Sequence, residues 1–162
     1  MEFTHLNQKG RGHMVDISEK PASTRVAKAT ATVNLSAQTL EKVKEGALKK
    51  GDVLAIAQIA GISAAKSTWE QIPLCHQIPL TGADIDFDFL EAPPRVRITA
   101  TVKTNYATGV EMEALLAATT AALTIYDMCK AVQKDICITD IFLLEKTGGK
   151  EDYFQGELSC IK

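Results

Sequence analysis

No part of this sequence constrains the fold more than the run from Gly109 to Lys130. It is long, rich in alanine and free of proline, which predicts a helix from about Glu111 onward. A helix with so many small apolar side chains can lie close against a sheet or another helix. Four charges stand out on it: Glu111, Glu113, Asp127 and Lys130. Asp127 and Lys130 are three apart and share one face. Exposed, they would form an ordinary surface pair worth little. Buried, Asp127 would hold Lys130 charged or orient it, and a desolvated lysine can act as acid or base near neutral pH. Glu111 and Glu113 share a side if the chain is still extended there, and diverge if it is helical. Thr108-Gly109 marks a tight turn at a helix N-terminus, where free N–H groups favour anions.

The chain has 162 residues, which suits one domain spanning all of it. Its net charge of -2 implies no polyanion, so no nucleic acid is expected, although a local basic pocket remains open. No apolar run approaches the ~20 residues of a membrane span. The first residues lack the pattern of a signal peptide. The expected location is therefore the cytoplasm, with Cys75, Cys129, Cys137 and Cys160 reduced. Cys129 and Cys137 lie in apolar surroundings and are expected in or near the core. No metal site is expected, because adjacent Cys75 and His76 rarely ligate one ion and no other histidine has ligand spacing.

Taken in order, residues 1–24 carry few apolar side chains. As a free tail they would be disordered; the alternative is an arm that orders on another surface. Residues 25–35 alternate and read as a strand. Ser36 can cap a helix running through Leu40, Val43 and Leu48 to the turn at Lys50-Gly51. A second helix from about Asp52 to Lys66 is mostly apolar and is expected to be buried on more than one side. Lys50 and Lys66 both have a bland reading as solvated lysines at helix ends. Pro73 and Pro79 then brace a stiff loop that presents Cys75 and His76. His76 could be a general base, a polar contact to substrate or a structural histidine. Residues 84–89 and 95–103 alternate as a hairpin, and 136–145 form the last strand. A flexible, basic loop, 146–150, comes next; it lacks the P-loop pattern. Residues 154–162 read as a tail.

This order predicts an α+β fold, ferredoxin-like βαββαβ with one extra helix and a four-stranded antiparallel sheet. Helices on one face leave the other needing cover. Phe87, Phe89, Val96 and Ile98 hint at subunit contacts there.

Six motifs in register carry a resemblance. They are Thr4–Leu6 with His13–Asp16, Lys50–Ala55, Ile72–His76, Thr108–Ala114, Ala122–Lys130 and Leu144–Lys150. Together they closely resemble the cyclic pyranopterin monophosphate synthase family, the molybdenum cofactor biosynthesis accessory protein C. The likeness covers residues 4 to about 153. It implies a homohexamer, a trimer of dimers, with active sites at dimer interfaces. It implies rearrangement of 3′,8-cyclo-7,8-dihydroguanosine 5′-triphosphate to cyclic pyranopterin monophosphate with release of pyrophosphate. On matching positions, it implies Lys50, Asp127 and Lys130 as the catalytic centre. Asp16, His76, Glu111 and Glu113 become further members of the site. Lys20, Arg25, Lys66, Lys146 and Lys150 become candidates for the triphosphate, and Cys75, Thr108 and Met112 line the base end. The resemblance also makes the residues after about 10 an arm that contributes to the pocket.

Mg²⁺ commonly travels with a triphosphate, yet no all-carboxylate cage is visible in the sequence. Two rival readings are a non-catalytic nucleotide-binding module and a purely structural subunit.

Overall fold

The computed structural model describes residues 9–46, 48 and 50–155. The motif at Thr4–Leu6, Lys49 and Cys160 lie outside them. The elements run β1 (Ser23–Asn34), α1 (Ala37–Lys44), α2 (Val53–Lys66), α3 (Thr68–Gln71), β2 (Leu80–Glu91), β3 (Pro94–Tyr106), α4 (Glu111–Cys129), β4 (Cys137–Thr147) and β5 (Tyr153–Phe154). They form an α+β fold with one antiparallel sheet, in the order β2-β3-β1-β4-β5.

The sheet therefore has five strands among the described residues, not the four expected. The addition is β5, whose Tyr153 and Phe154 pair with Lys146 and Glu145 inside what read as loop and tail. The helices number four among the described residues, because the four-residue α3 follows α2 almost without a break.

The alanine pattern explains the packing. Ala27, Ala29, Ala31 and Val33 of β1 and Val96, Ile98, Ala100 and Val102 of β3 form a flat, buried surface. Ala114, Ala117, Ala118, Ala121 and Ala122 of α4 lie on it, at most 1% exposed. α2 packs beside α4, over β2. At Gly61 the approach is so close that an added Cβ would lie 2.1 Å from Ile85 Cδ1 and 2.9 Å from the Ala117 carbonyl oxygen.

Ser36 caps α1 as expected, its side chain accepting from the Thr39 amide at 3.2 Å. The helix itself stops at Lys44, short of the expected Leu48, and the chain turns at Gly46 with φ 62° and Gly51 with φ 98°. Asp52 then caps α2 through the Ala55 amide.

Two expectations about apolar faces are overturned. Phe87 and Phe89 pack with buried Val96 and Ile98 against the core beneath the helices, not on the open face. The opposite face is polar, because register places Asp88 beside Arg97 and Thr32, and Asp86 beside Thr99 and Thr30. Second, α2 buries only one side; Ile56 is 44% exposed and Ile59 67%. Uncovered apolar side chains thus lie on the helix layer, where Leu123 of α4 is also 55% exposed, and on β4 and β5, where Ile141 and Phe154 are exposed. Cys129 is buried, but Cys137 is exposed at the start of β4, against expectation.

Candidate active site

α4 carries charge at both ends, and each end gathers partners from distant parts of the chain. At its C-terminal end, Asp127 accepts from two lysines. Lys130 Nζ lies 2.7 Å from Oδ1, one turn away on the same helix. Lys50 Nζ lies 3.0 Å from Oδ2 and also donates to the Asp127 backbone carbonyl at 2.9 Å. The turn at Gly51 delivers Lys50, seventy-seven residues before Asp127 in sequence. The three residues expected at the catalytic centre are thus brought together. All three are solvent-exposed in the single chain. Hydrogen bonds from Lys130 and Lys50 hold the Asp127 carboxyl below its ordinary range. The same bond to Asp127 pushes Lys130 up. A desolvated lysine would shift the other way.

The N-terminal end of α4 borders two adjoining cavities. The first, about 400 Å³, is lined by Lys20, Arg25, Lys146 and Lys150, with Thr108 and Glu111 at its edge. Several of these cations are already engaged. Arg25 donates through Nε to the Tyr106 carbonyl at 3.0 Å and through Nη2 to the Ala107 carbonyl at 3.2 Å. Those bonds fix the bend between β3 and α4. Lys146 Nζ lies 3.2 Å from Glu111 Oε1. The Glu111 carboxylate folds over Gly109, where a side chain would collide with it at 1.9 Å.

The loop carrying Lys150 is tied down. Gly148, at φ 82°, lies so close to β1 that a Cβ would sit 1.9 Å from the Thr24 carbonyl oxygen. Ser23 donates to the Gly148 carbonyl at 2.8 Å, and Asp152 accepts from the Gly148 amide at 3.0 Å.

The second cavity, about 660 Å³, is lined by Cys75, His76, Met112 and Glu113, and shares Lys20, Thr108, Gly109 and Glu111 with the first. Sequence reasoning missed its apolar wall of Val15, Ile17, Ile72 and Leu74. The only available signal was the alternation of apolar residues in the arm and around Pro73. Because α4 is already helical at Glu111, the two glutamates diverge: Glu111 turns to Lys146, and Glu113 is 3% exposed. Burial, with the nearby Glu111 charge acting in the same direction, raises Glu113 to about 7. Burial likewise raises the Cys75 thiol, helped by Glu113.

The arm follows the second cavity wall. His76 Nε2 lies 2.7 Å from the Val15 carbonyl oxygen. Asp16 turns back to accept from Ser18 and lines neither cavity; those bonds lower its carboxyl. Lys66 is exposed at the end of α2 and also lines neither cavity.

Apart from Asp16 and Lys66, the expected site residues therefore fall into two groups. Asp127 is sixteen residues from Glu111 along α4, or about 24 Å at 1.5 Å per residue. One group is an exposed lysine-carboxylate cluster. The other is a pair of cavities with lysines on one side and a buried acid on the other.

The fold is an α+β domain whose first cavity gathers Lys20, Arg25, Lys146 and Lys150 beside a second that holds a buried acid. The family model described as MoaC family matches residues 14–149, which include all of these residues except Lys150. A protein of Brevibacillus brevis named cyclic pyranopterin monophosphate synthase is 53% identical over 157 residues, 96% of this chain and 98% of that one. Proteins of the same name from Thermoanaerobacter pseudethanolicus and Desulfitobacterium hafniense are 51% identical over 158 residues and 53% over 154. These alignments cover 98% and 95% of this chain, and 100% and 94% of the relatives. The chain belongs to the MoaC family.

Proposed function

We propose that this chain is a pyrophosphate-releasing lyase of molybdenum cofactor biosynthesis. It would convert 3′,8-cyclo-7,8-dihydroguanosine 5′-triphosphate to cyclic pyranopterin monophosphate. The shared name of relatives at 51–53% identity over nearly full length supports the activity.

The chemistry suits the residues present. Opening and reclosing a guanine-derived ring needs repeated proton transfers. Closing the cyclic phosphate joins a sugar hydroxyl oxygen to the α-phosphorus. The α–β anhydride bond breaks, pyrophosphate leaves with the bonding electrons, and the hydroxyl proton passes to a base. The growing charge on the leaving group calls for cations. Lys20, Lys146 and Lys150 would meet the phosphates; Cys75, Thr108 and Met112 would line the base end. Arg25 would act mainly through the Tyr106 and Ala107 carbonyls it already holds. Mg²⁺ would arrive on the triphosphate rather than in a protein cage.

One observation shapes this reading: the two charged groups occupy opposite ends of α4, too far apart for one nucleotide to touch both. The site would therefore be shared by two copies of the chain. Ile56 and Ile59 of α2 and Leu123 of α4 are exposed on the helix layer and would supply an apolar strip between the two ends. A two-fold axis through that strip would set helices antiparallel and bring the Lys50–Asp127–Lys130 end of one copy to the cavity end of the other. Three such pairs would give the expected hexamer. The strand order and the helices on one face support a ferredoxin-like core extended by β5. A cytoplasmic, single-domain protein fits this reading.

Complementation is the test. Lys130→Ala and Lys20→Ala proteins, each inactive alone, are dissociated, mixed and reassembled. Pyrophosphate release and the fluorescence of the oxidised pterin should return to about a quarter of the wild-type level, as expected for random pairing across a two-fold interface. No recovery from mixed assemblies would overturn the shared site. Wild-type protein that binds the substrate without turnover would favour the non-catalytic module.

A further inference from the structure

Proton transfer does not explain one contact of His76. Its Nε2 lies 2.7 Å from the Val15 backbone oxygen, sixty-one residues away in sequence. A carbonyl oxygen can only accept, so the bond requires the hydrogen on Nε2. It joins two segments that also line one cavity together, through Val15, Ile17, Ile72 and Leu74. One is the proline-braced loop after α3, and the other is the arm before β1.

The segment from Asp16 to Lys20 is tightly folded. Asp16 accepts from the Ser18 amide at 2.9 Å and from the Ser18 hydroxyl. The Lys20 amide then donates to the Ile17 carbonyl at 3.1 Å. These consecutive turns relay the position of Val15 to Lys20. Lys20 is the one lysine among the described residues that lines both cavities. Val15 and Ile17 form part of the second cavity's wall.

We propose that His76 is a positioning residue that clasps the N-terminal arm through Nε2–H to the Val15 carbonyl, and so sets Lys20 between the two cavities. The proposal rests on the function above only for the ligand Lys20 would meet; the clasp itself needs no substrate. The ring acts on substrate through the arm, and its Nε2–H is occupied in the resting protein.

Hydrogen exchange on the full, assembled chain tests it. In His76→Ala, the Ser18 and Lys20 amides should exchange about tenfold faster, the scale of one lost hydrogen bond. Protection in β1, β3 and α4 should stay unchanged and reports that the variant is folded. His76→Gln places an amide donor near the Nε2 position and should restore most of the protection. Exchange that stays slow in His76→Ala, or is equally fast in both variants, overturns the clasp.

Kinetics supply a second readout. His76→Ala should raise KM for the triphosphate about tenfold with a much smaller loss in kcat, and His76→Gln should recover KM. A kcat collapse common to both variants, with the arm still protected, would overturn the clasp in favour of proton transfer by the ring while leaving the proposed activity intact. If instead the wild-type protein shows no turnover, the proposed function falls while the exchange result still decides the clasp.

Discussion

The two ends of α4 treat charge in opposite ways. At the C-terminal end, one carboxylate meets two ammonium groups in open water, and pairing favours the charged forms of Asp127 and Lys130. At the N-terminal end, Glu113 is buried, and desolvation brings it to about 7. The first end stores charge; the second can exchange a proton near neutrality. If Lys50 and Lys130 are to move protons, something must first strip water from them. A second copy of the chain, together with bound nucleotide, would do so. A single chain would hold the groups for acid–base chemistry without the dielectric they need.

The sharpest way to break this contrast is at the charged end. Lys50→Ala or Lys130→Ala should lower kcat by about 10²–10⁴-fold, the usual range for a positioned acid or base. Size-exclusion should show the assembly unchanged. Near-normal turnover in either variant would move the chemistry away from that end.

Between the ends, Gly61 lets α2 seat against α4 and so helps place Lys50 beside Asp127. Gly61→Ala forces contact with Ile85 and the Ala117 carbonyl. It should cost about 1–3 kcal/mol in denaturant unfolding.

At the buried end, Glu113→Gln separates burial from charge. Glu113 keeps its proton in the folded chain from its ordinary 4.5 up to about 7 and loses it in the unfolded chain. The folded state thus binds more protons there, and its stability falls as pH rises through that window. The glutamine variant should be more stable than wild type by about 3 kcal/mol at about pH 8 and nearly equal to it at about pH 4. Equal stability at both pH values would show that Glu113 is not desolvated as described.

The smallest effect concerns the Glu111–Lys146 pair. Glu111→Gln removes the carboxylate that an incoming phosphate must displace from Lys146. Titration with pyrophosphate should show binding tightened about two- to fivefold, with Lys146→Ala weakened by a similar factor.

Local signals are readable from the chain alone. The start of α4 at Glu111, the Ser36 cap and the hairpin of β2 and β3 follow from proline, serine and alternation, which act over a few residues. The pairing of Asp127 with Lys130 is legible for the same reason, being one helical turn. The meeting of Lys50 with Asp127 comes from the family likeness; spacing along the chain cannot give it. The features that escape depend on tertiary placement. Phe87 and Phe89 alternate with aspartates, but alternation does not say which face meets the helices. The apolar run of α2 reads as buried all round, yet Ile56 and Ile59 face outward. β5 is only two residues long, too short for a periodic pattern.

At Gly148, a left-handed backbone and the contact with Thr24 each exclude a side chain, and the bend there is what returns β5 to β4. Lys146 enters that bend and Lys150 leaves it, so both ammonium groups are mounted on a single rivet between neighbouring strands. Prising the rivet loose with any larger residue would swing two positive charges away together, although neither lysine had been altered.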